Sequence, residues 1–148
     1  MSAVPFHYVD LRAFSYATED DERVAAALRT LMPDEADIER QETEGHHGDR
    51  IVVMSTRVER ADAVRHVLST LAGIEDFEGL LAELDDRVDD DCAFFLQLDK
   101  QEAFNGRIAL GDGLLVRGKV EAYPADRERA IETAETALRE LQAGTLGT

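Results

Sequence analysis

Lysine is almost missing from this chain. Of 148 residues only Lys100 and Lys119 carry an ammonium side chain, and the remaining cations are arginines. Cysteine is scarcer still: Cys92 alone can form neither an intramolecular disulfide nor a multi-thiolate metal site. It stands beside the apolar run AFFLQL, where a buried, inert thiol is expected. No apolar stretch approaches the ~18 residues that a membrane span needs. The segment MSAVPFHYVD has neither the charged nor the apolar region of a secretory leader. These absences predict a soluble, cytoplasmic protein with no membrane partner. No Pro/Gly/Ser-rich linker, low-complexity tract or internal repeat divides the chain, so a single domain is expected over residues 1–148.

Catalytic signatures are missing as well. The chain has no G-x-S-x-G elbow, P-loop, G-x-G-x-x-G or H-E-x-x-H. A Ser55 or Cys92 nucleophile would need a base that the sequence does not single out. Carboxylates are too abundant for any pair to stand out as general acid and base. No enzyme activity and no cofactor is therefore expected.

Acid is what the chain has in excess. Thirty-two acidic residues face 16 basic ones, for a formal charge of -16. Dense hydrated carboxylates keep a protein soluble in molar salt, where repulsion is screened to about 3 Å. We read the composition as that of a salt-adapted surface; the alternative is an acidic domain that binds a basic partner. With 44% hydrophobic residues, the chain can still bury one sizeable core.

The periodicities place the elements. In FHYVDLRAFSY, Phe6 to Tyr16, the residues Val9, Leu11 and Ala13 alternate with Tyr8, Asp10, Arg12 and Phe14, which is a strand with one apolar and one mixed face. Thr18 is the expected N-cap of a helix carrying Val24, Ala27, Leu28 and Leu31, which Pro33 ends. The polar stretch from Asp37 to Thr43 fits an edge strand. It pairs through EGHHGD with RIVVMSTRV, where Val52, Met54 and Val58 share a face. A helix over Arg60 to Ala72, capped by Gly73, should pack antiparallel to a second through Phe77, Leu80, Leu81, Leu84 and Val88. CAFFLQLD is a strand, KQEAF a turn of helix and NGRIAL a short strand; LLVRGKVEAY is the last strand. Pro124 suits the first position of a closing helix bearing Ile131, Ala134, Leu138 and Leu141. Strands grouped in runs rather than alternating strictly with helices argue for an α+β fold.

The sharpest local feature is EGHHGDR, which displays His46 and His47 at the hairpin tip. Adjacent residues in an extended strand point to opposite sides, and no H-x-x-x-H or cysteine pair completes a ligand set, so no metal is expected. A metal-dependent hydrolase using this pair stands as the third reading. Nucleic acid meets an objection in the overall charge, because phosphate binding draws on cations and counterion release. In molar salt the repulsion is screened, and bidentate arginine contacts and stacking on aromatics would carry the binding. If helices cover one sheet face, the other gathers Tyr8, Arg12, Phe14, Phe95, Gln97, Arg117 and Lys119. That face suits an RNA platform or a dimer interface alike.

Taken in order, FHYVDLRAFSYATED, EGHHGDRI, LQLDKQEAFNGRIAL and VRGKVEAYPADRERAI resemble an archaeal RNA-binding family described as a predicted exosome-associated subunit. The resemblance covers nearly the whole chain. It implies a fold similar to that of the large-subunit ribosomal protein that binds five-S rRNA: a mixed, mostly antiparallel, curved sheet with helices packed on one face. It also implies RNA binding without catalysis, a place in RNA processing or degradation, and a homodimer. Carried over by position, it marks His46, His47, Gly48, Asp49 and Arg50, then Asp99, Lys100, Gln101 and Gly106. The family pattern often has asparagine where this chain has Asp49, and an acid there would repel a nearby phosphate. The expected RNA contacts are His46, His47, Arg50, Lys100, Gln101, Arg107, Arg12, Arg117 and Lys119. The alternative is a scaffold subunit of an RNA-processing assembly that touches protein rather than RNA.

Overall fold

A computed structural model of the protein describes residues 4–144. Its elements run β1 (Phe6–Tyr16), α1 (Asp21–Arg29), β2 (Glu39–Glu44), β3 (Arg50–Val58), α2 (Ala61–Ala72), α3 (Phe77–Ala82), α4 (Leu84–Arg87), β4 (Ala93–Asp99), α5 (Lys100–Phe104), β5 (Gly113–Val120) and α6 (Arg127–Gln142). The strands form one five-stranded sheet in the order β2-β3-β1-β5-β4, with every adjacent pair antiparallel. The α+β expectation holds, and the helices pack on one side of the sheet.

β1 is the central strand, and its alternation sets the architecture. Val9, Leu11, Ala13 and Ser15 are fully buried towards the helices, while Tyr8, Asp10, Arg12, Phe14 and Tyr16 lie half-buried or exposed on the other side. Val52, Met54, Thr56 and Val58 of β3, with Leu114, Val116 and Val120 of β5, continue the buried face. Val24, Ala27 and Leu28 of α1, Val64, Val67, Leu68 and Leu71 of α2, and Ala130, Ala134 and Leu138 of α6 close over it. Each large side chain so buried contributes about 1.5–3 kcal/mol. Gly118 belongs to this layer for a steric reason: a Cβ there would stand 2.9 Å from the Phe6 ring, which packs edge-on against Phe94 at 6.4 Å.

Several expectations are corrected in detail. Asp20, not Thr18, caps α1, because its carboxylate accepts the Glu22 amide at 2.9 Å while Thr18 lies in the turn closed by the Glu19 amide on the Tyr16 carbonyl. The helix beyond Phe77 breaks at Glu83 into α3 and α4, and α2 packs on α6 rather than on that segment. NGRIAL is not a strand. Gly106 turns at φ +81, the Arg107 amide returns to the Glu102 carbonyl, and only Leu110 makes a bridge, to Leu98. The last helix starts at Arg127 behind Asp126, which accepts the Arg129 amide at 2.8 Å, so Pro124 lies before it. Cys92 is buried as expected.

The two sheet margins differ. The outer side of β4 is joined by Val88 and Leu110, whereas β2, sequence ERQETE, is exposed along its whole length. β2 is the edge strand that its polarity predicted, and its glutamates guard a row of unpaired backbone groups.

Candidate functional site

The helix-free face of the sheet collects the polar and aromatic side chains in transverse rows. Directly paired residues of antiparallel strands share a face. One row therefore runs Arg57, Asp10, Arg117, Phe95, and the next runs Glu39, Ser55, Arg12, Leu115, Gln97. Phe14 and Tyr16 continue the face along β1, with their rings stacked at 6.5 Å and 23°. Tyr8 and Lys119 pair at the opposite end. Three of its side chains are large, apolar and open: Tyr16 at 49%, Phe95 at 40% and Leu115 at 37% exposure. Beside Glu39, where β2 begins, a depression of about 750 Å³ opens over β3, β1 and β5, lined among others by Arg12, Ser55, Arg57, Leu115 and Arg117.

Each cation there has its own degree of engagement. Arg57 grips both carboxylate oxygens of Asp10, at 2.7 and 2.9 Å, and lies 3.9 Å over the Tyr8 ring. Arg117 meets Asp89 at 3.5 Å, and Lys119 donates to the Asp91 carbonyl. Arg12 has no ion pair among the described residues. It lies exposed in the middle of the face, at the depression's lining.

The hairpin tip is built by its glycines. The Gly45 amide donates to Asp49, the Gly48 amide to Gly45, and Gly48 takes φ +80, a conformation that costs other residues strain. His46 and His47 are exposed, their rings edge-to-face at 5.2 Å. Together with Tyr16, Thr18, Asp49 and Ile51 they line a hollow of about 270 Å³. Among the described residues no group of three or more histidine, cysteine or acidic side chains is placed to hold a metal ion.

Three of the expected contacts face the protein itself. Arg50 pairs with Asp21 at 2.8 Å and with Glu42 at 3.1 Å, tying the hairpin to α1. Arg50, then Ser15, which donates at 2.7 Å, hold the Asp21 carboxyl below its ordinary range. Lys100, at 17% exposure, donates to the Phe14 carbonyl and to Glu19, both at 2.8 Å, with its ammonium 5.4 Å from the Tyr16 ring. Burial pushes Glu19 up, but the bonds from Lys100 and the Tyr16 amide outweigh it and leave the carboxyl lowered. Gly113 makes room for this lysine, since a Cβ at that position would come 2.8 Å from the Lys100 Cβ. Arg107 is bound to Glu102 at 2.6 Å, which raises its pKa further. Gln101 lies exposed at a second hollow, with Lys100 and Arg23.

The structure thus gathers Arg12, Arg117 and Lys119 on one face. It sets His46 and His47 beyond the Tyr16 end of that face, and it places Lys100 between Tyr16 and Glu19. Arg107 sits apart, beside α5. The sequence reading overlooked Arg57, Leu115 and Tyr16. The parity of RIVVMSTRV and LLVRGKV, followed on the side away from the core, marks the first two.

A family model described as RNA binding matches residues 8–120, from β1 to the end of β5. This chain belongs to that RNA-binding family. A relative from Pyrococcus abyssi, "RNA-binding protein PAB1135", is 34% identical over 137 residues, covering 85% of this chain and 89% of its own. Among solved structures, Mth689 from Methanothermobacter thermautotrophicus, a DUF54 protein, superposes with a TM-score of 0.78 at 40% identity, covering 90% of this chain and 98% of that one. Protein AF2318 from Archaeglobus fulgidus superposes with a TM-score of 0.79 at 29% identity, covering 89% and 99%. These two archaeal DUF54 proteins therefore share this sheet and its helical cover. No helix among the described residues is long and apolar enough to cross a membrane.

Proposed function

We propose that the protein is a non-catalytic RNA-binding protein of a salt-adapted archaeon, cytoplasmic, and engaged with RNA through the helix-free sheet face as one unit over residues 1–148. The observation that carries this reading is the registered cluster Arg12, Leu115, Gln97, Arg117 and Phe95, continued by Phe14 and Tyr16, in a chain that belongs to the RNA-binding family. An uncommitted guanidinium at the centre can fork onto a phosphate or a base edge, and the flanking rings can stack on bases. Arg117 and Lys119 extend the cationic side, and His46, His47 and Gln101 add polar contacts at the far end. Arg50, Lys100 and Arg107 contribute through the segments they brace.

The sheet covered on one side supports the likeness to the ribosomal protein that binds five-S rRNA. The composition, with 32 acidic residues and two lysines, supports salt adaptation. A role beside an exosome or another RNA-processing complex rests on the family resemblance.

Filter binding of total cellular RNA in molar KCl tests the reading. We expect retention by the wild type, loss on Arg12→Ala with Arg117→Ala, and a smaller loss on His46→Ala with His47→Ala. Absence of binding by the wild type would overturn it.

A second reading has its own observation. Tyr16, Phe95 and Leu115 form an open apolar set that a protein surface could cover, as a homodimer or a scaffold contact. Co-purification of a protein partner that survives nuclease treatment, with no RNA retained, would favour it.

A further inference from the structure

Resting on the RNA-binding reading, we infer that the ligand is single-stranded RNA, held chiefly through its bases along a diagonal track from Phe95 to the histidine pair. The track follows the pairing register. Phe95 on β4 stands in the row of Asp10, Leu115 on β5 lies opposite Arg12, and Phe14 and Tyr16 follow along β1. Tyr16 then lines the same hollow as His46 and His47. From Phe95 to Tyr16 the path crosses two strand intervals and six residues along β1, roughly 20 Å by ordinary sheet spacings. A strand with splayed bases can lie along such a path. A double helix presents only its backbone and shallow groove to a flat sheet.

Charge favours the same ligand. A duplex-binding surface neutralises several phosphates with free cations. On this face Arg57 is held by Asp10, Arg117 by Asp89 and Lys119 by the Asp91 carbonyl, and Arg12 alone has no such partner among the described residues. Asp10 and Glu39 flank Arg12 in the adjoining row and its own row. Stacking, by contrast, needs only exposed π-faces and survives high salt. Lys100 has a positioning part, because it holds the Phe14 carbonyl and sits against the Tyr16 ring, fixing both rings at one end of the track.

Fluorescence anisotropy tests this with a labelled single-stranded oligoribonucleotide of about ten residues, within the ~4–16 nucleotide span of stacking sites. The same RNA annealed to its complement is the control, and both are titrated in molar KCl. We expect the single strand to bind at least about tenfold more tightly than the duplex, with a salt slope of only one or two phosphates. Phe95→Ala and Tyr16→Ala should each weaken it by roughly tenfold. Both side chains are open, so circular dichroism should report unchanged folding. Equal binding of duplex and single strand, insensitive to both variants, would overturn the track while leaving the RNA-binding reading intact. No binding of either RNA would overturn both. A fall in sedimentation coefficient on Phe95→Ala, with RNA affinity unchanged, would give the face to a second copy of the chain and also overturn the track.

Discussion

The two sides of β1 are made from the same eleven residues and obey opposite rules. Towards the helices, Val9, Leu11, Ala13 and Ser15 leave no exposed surface, and Ser15 satisfies its hydroxyl on Asp21. Away from them, Tyr8, Asp10, Arg12, Phe14 and Tyr16 carry rings and charges that stand beside residues of β3 and β5 but retain open surface. One side holds the fold and the other stays open, where the proposed RNA contacts lie. The difference teaches that the stability and the binding of this protein should separate by residue parity from Tyr8 to Tyr16, beyond the register shift that turns Phe6 into the core.

Removing side chains from the two sides should therefore break different things. The largest stability effect is expected from Leu11→Ala, about 2–5 kcal/mol in a denaturant titration, because the cavity lies at the centre of the core. Gly118→Ala should follow at about 1–3 kcal/mol, since the new Cβ is driven against the Phe6 ring. Lys100→Met should cost on the order of 1–3 kcal/mol by removing the ammonium donor from the Phe14 carbonyl and from Glu19, which keeps only the Tyr16 amide. It should also weaken RNA binding, because Tyr16 loses its brace.

The comparison also has a pH dependence confined to one region. Glu19 and Asp21, at the junction of β1 and α1, both have carboxyls lowered in the folded state. Their stabilisation is complete above the unfolded carboxylate range, near pH 4, and is lost as pH falls through the lowered folded values. Urea midpoints measured down to acid pH should fall in that window, and Arg50→Ala should flatten the fall. Smallest of all, Arg12→Ala should change stability by no more than about 0.5 kcal/mol while lowering RNA retention. A large stability loss there would erase the division between the two sides.

How much of this was readable beforehand follows from the range of the forces. The alternation in FHYVDLRAFSY was enough to assign both faces of β1, because side-chain direction in a strand is a local property. The edge character of ERQETE was equally local. The break at Glu83 and the loss of NGRIAL as a strand depended on turn hydrogen bonds, Glu83 to Leu80 and Arg107 to Glu102, which periodicity does not encode. Charge partners were the least readable. Arg50 meets Asp21 across 29 positions, and Lys100 meets Phe14 across 86, so their engagement emerges only when the sheet is assembled. Arg12 was legible as a face residue. Its freedom from any carboxylate was not.

The scarcity of lysine has a practical consequence at the bench. Lys100 is tucked between Glu19 and Tyr16, and Lys119 is turned onto a backbone carbonyl. Amine-directed labels and crosslinkers will thus find only two side-chain targets, neither projecting freely into solvent. Chemical proteomics built on those reagents would pass over this protein's contacts, whereas ultraviolet crosslinking through Tyr16 or Phe95 addresses the surface that is open.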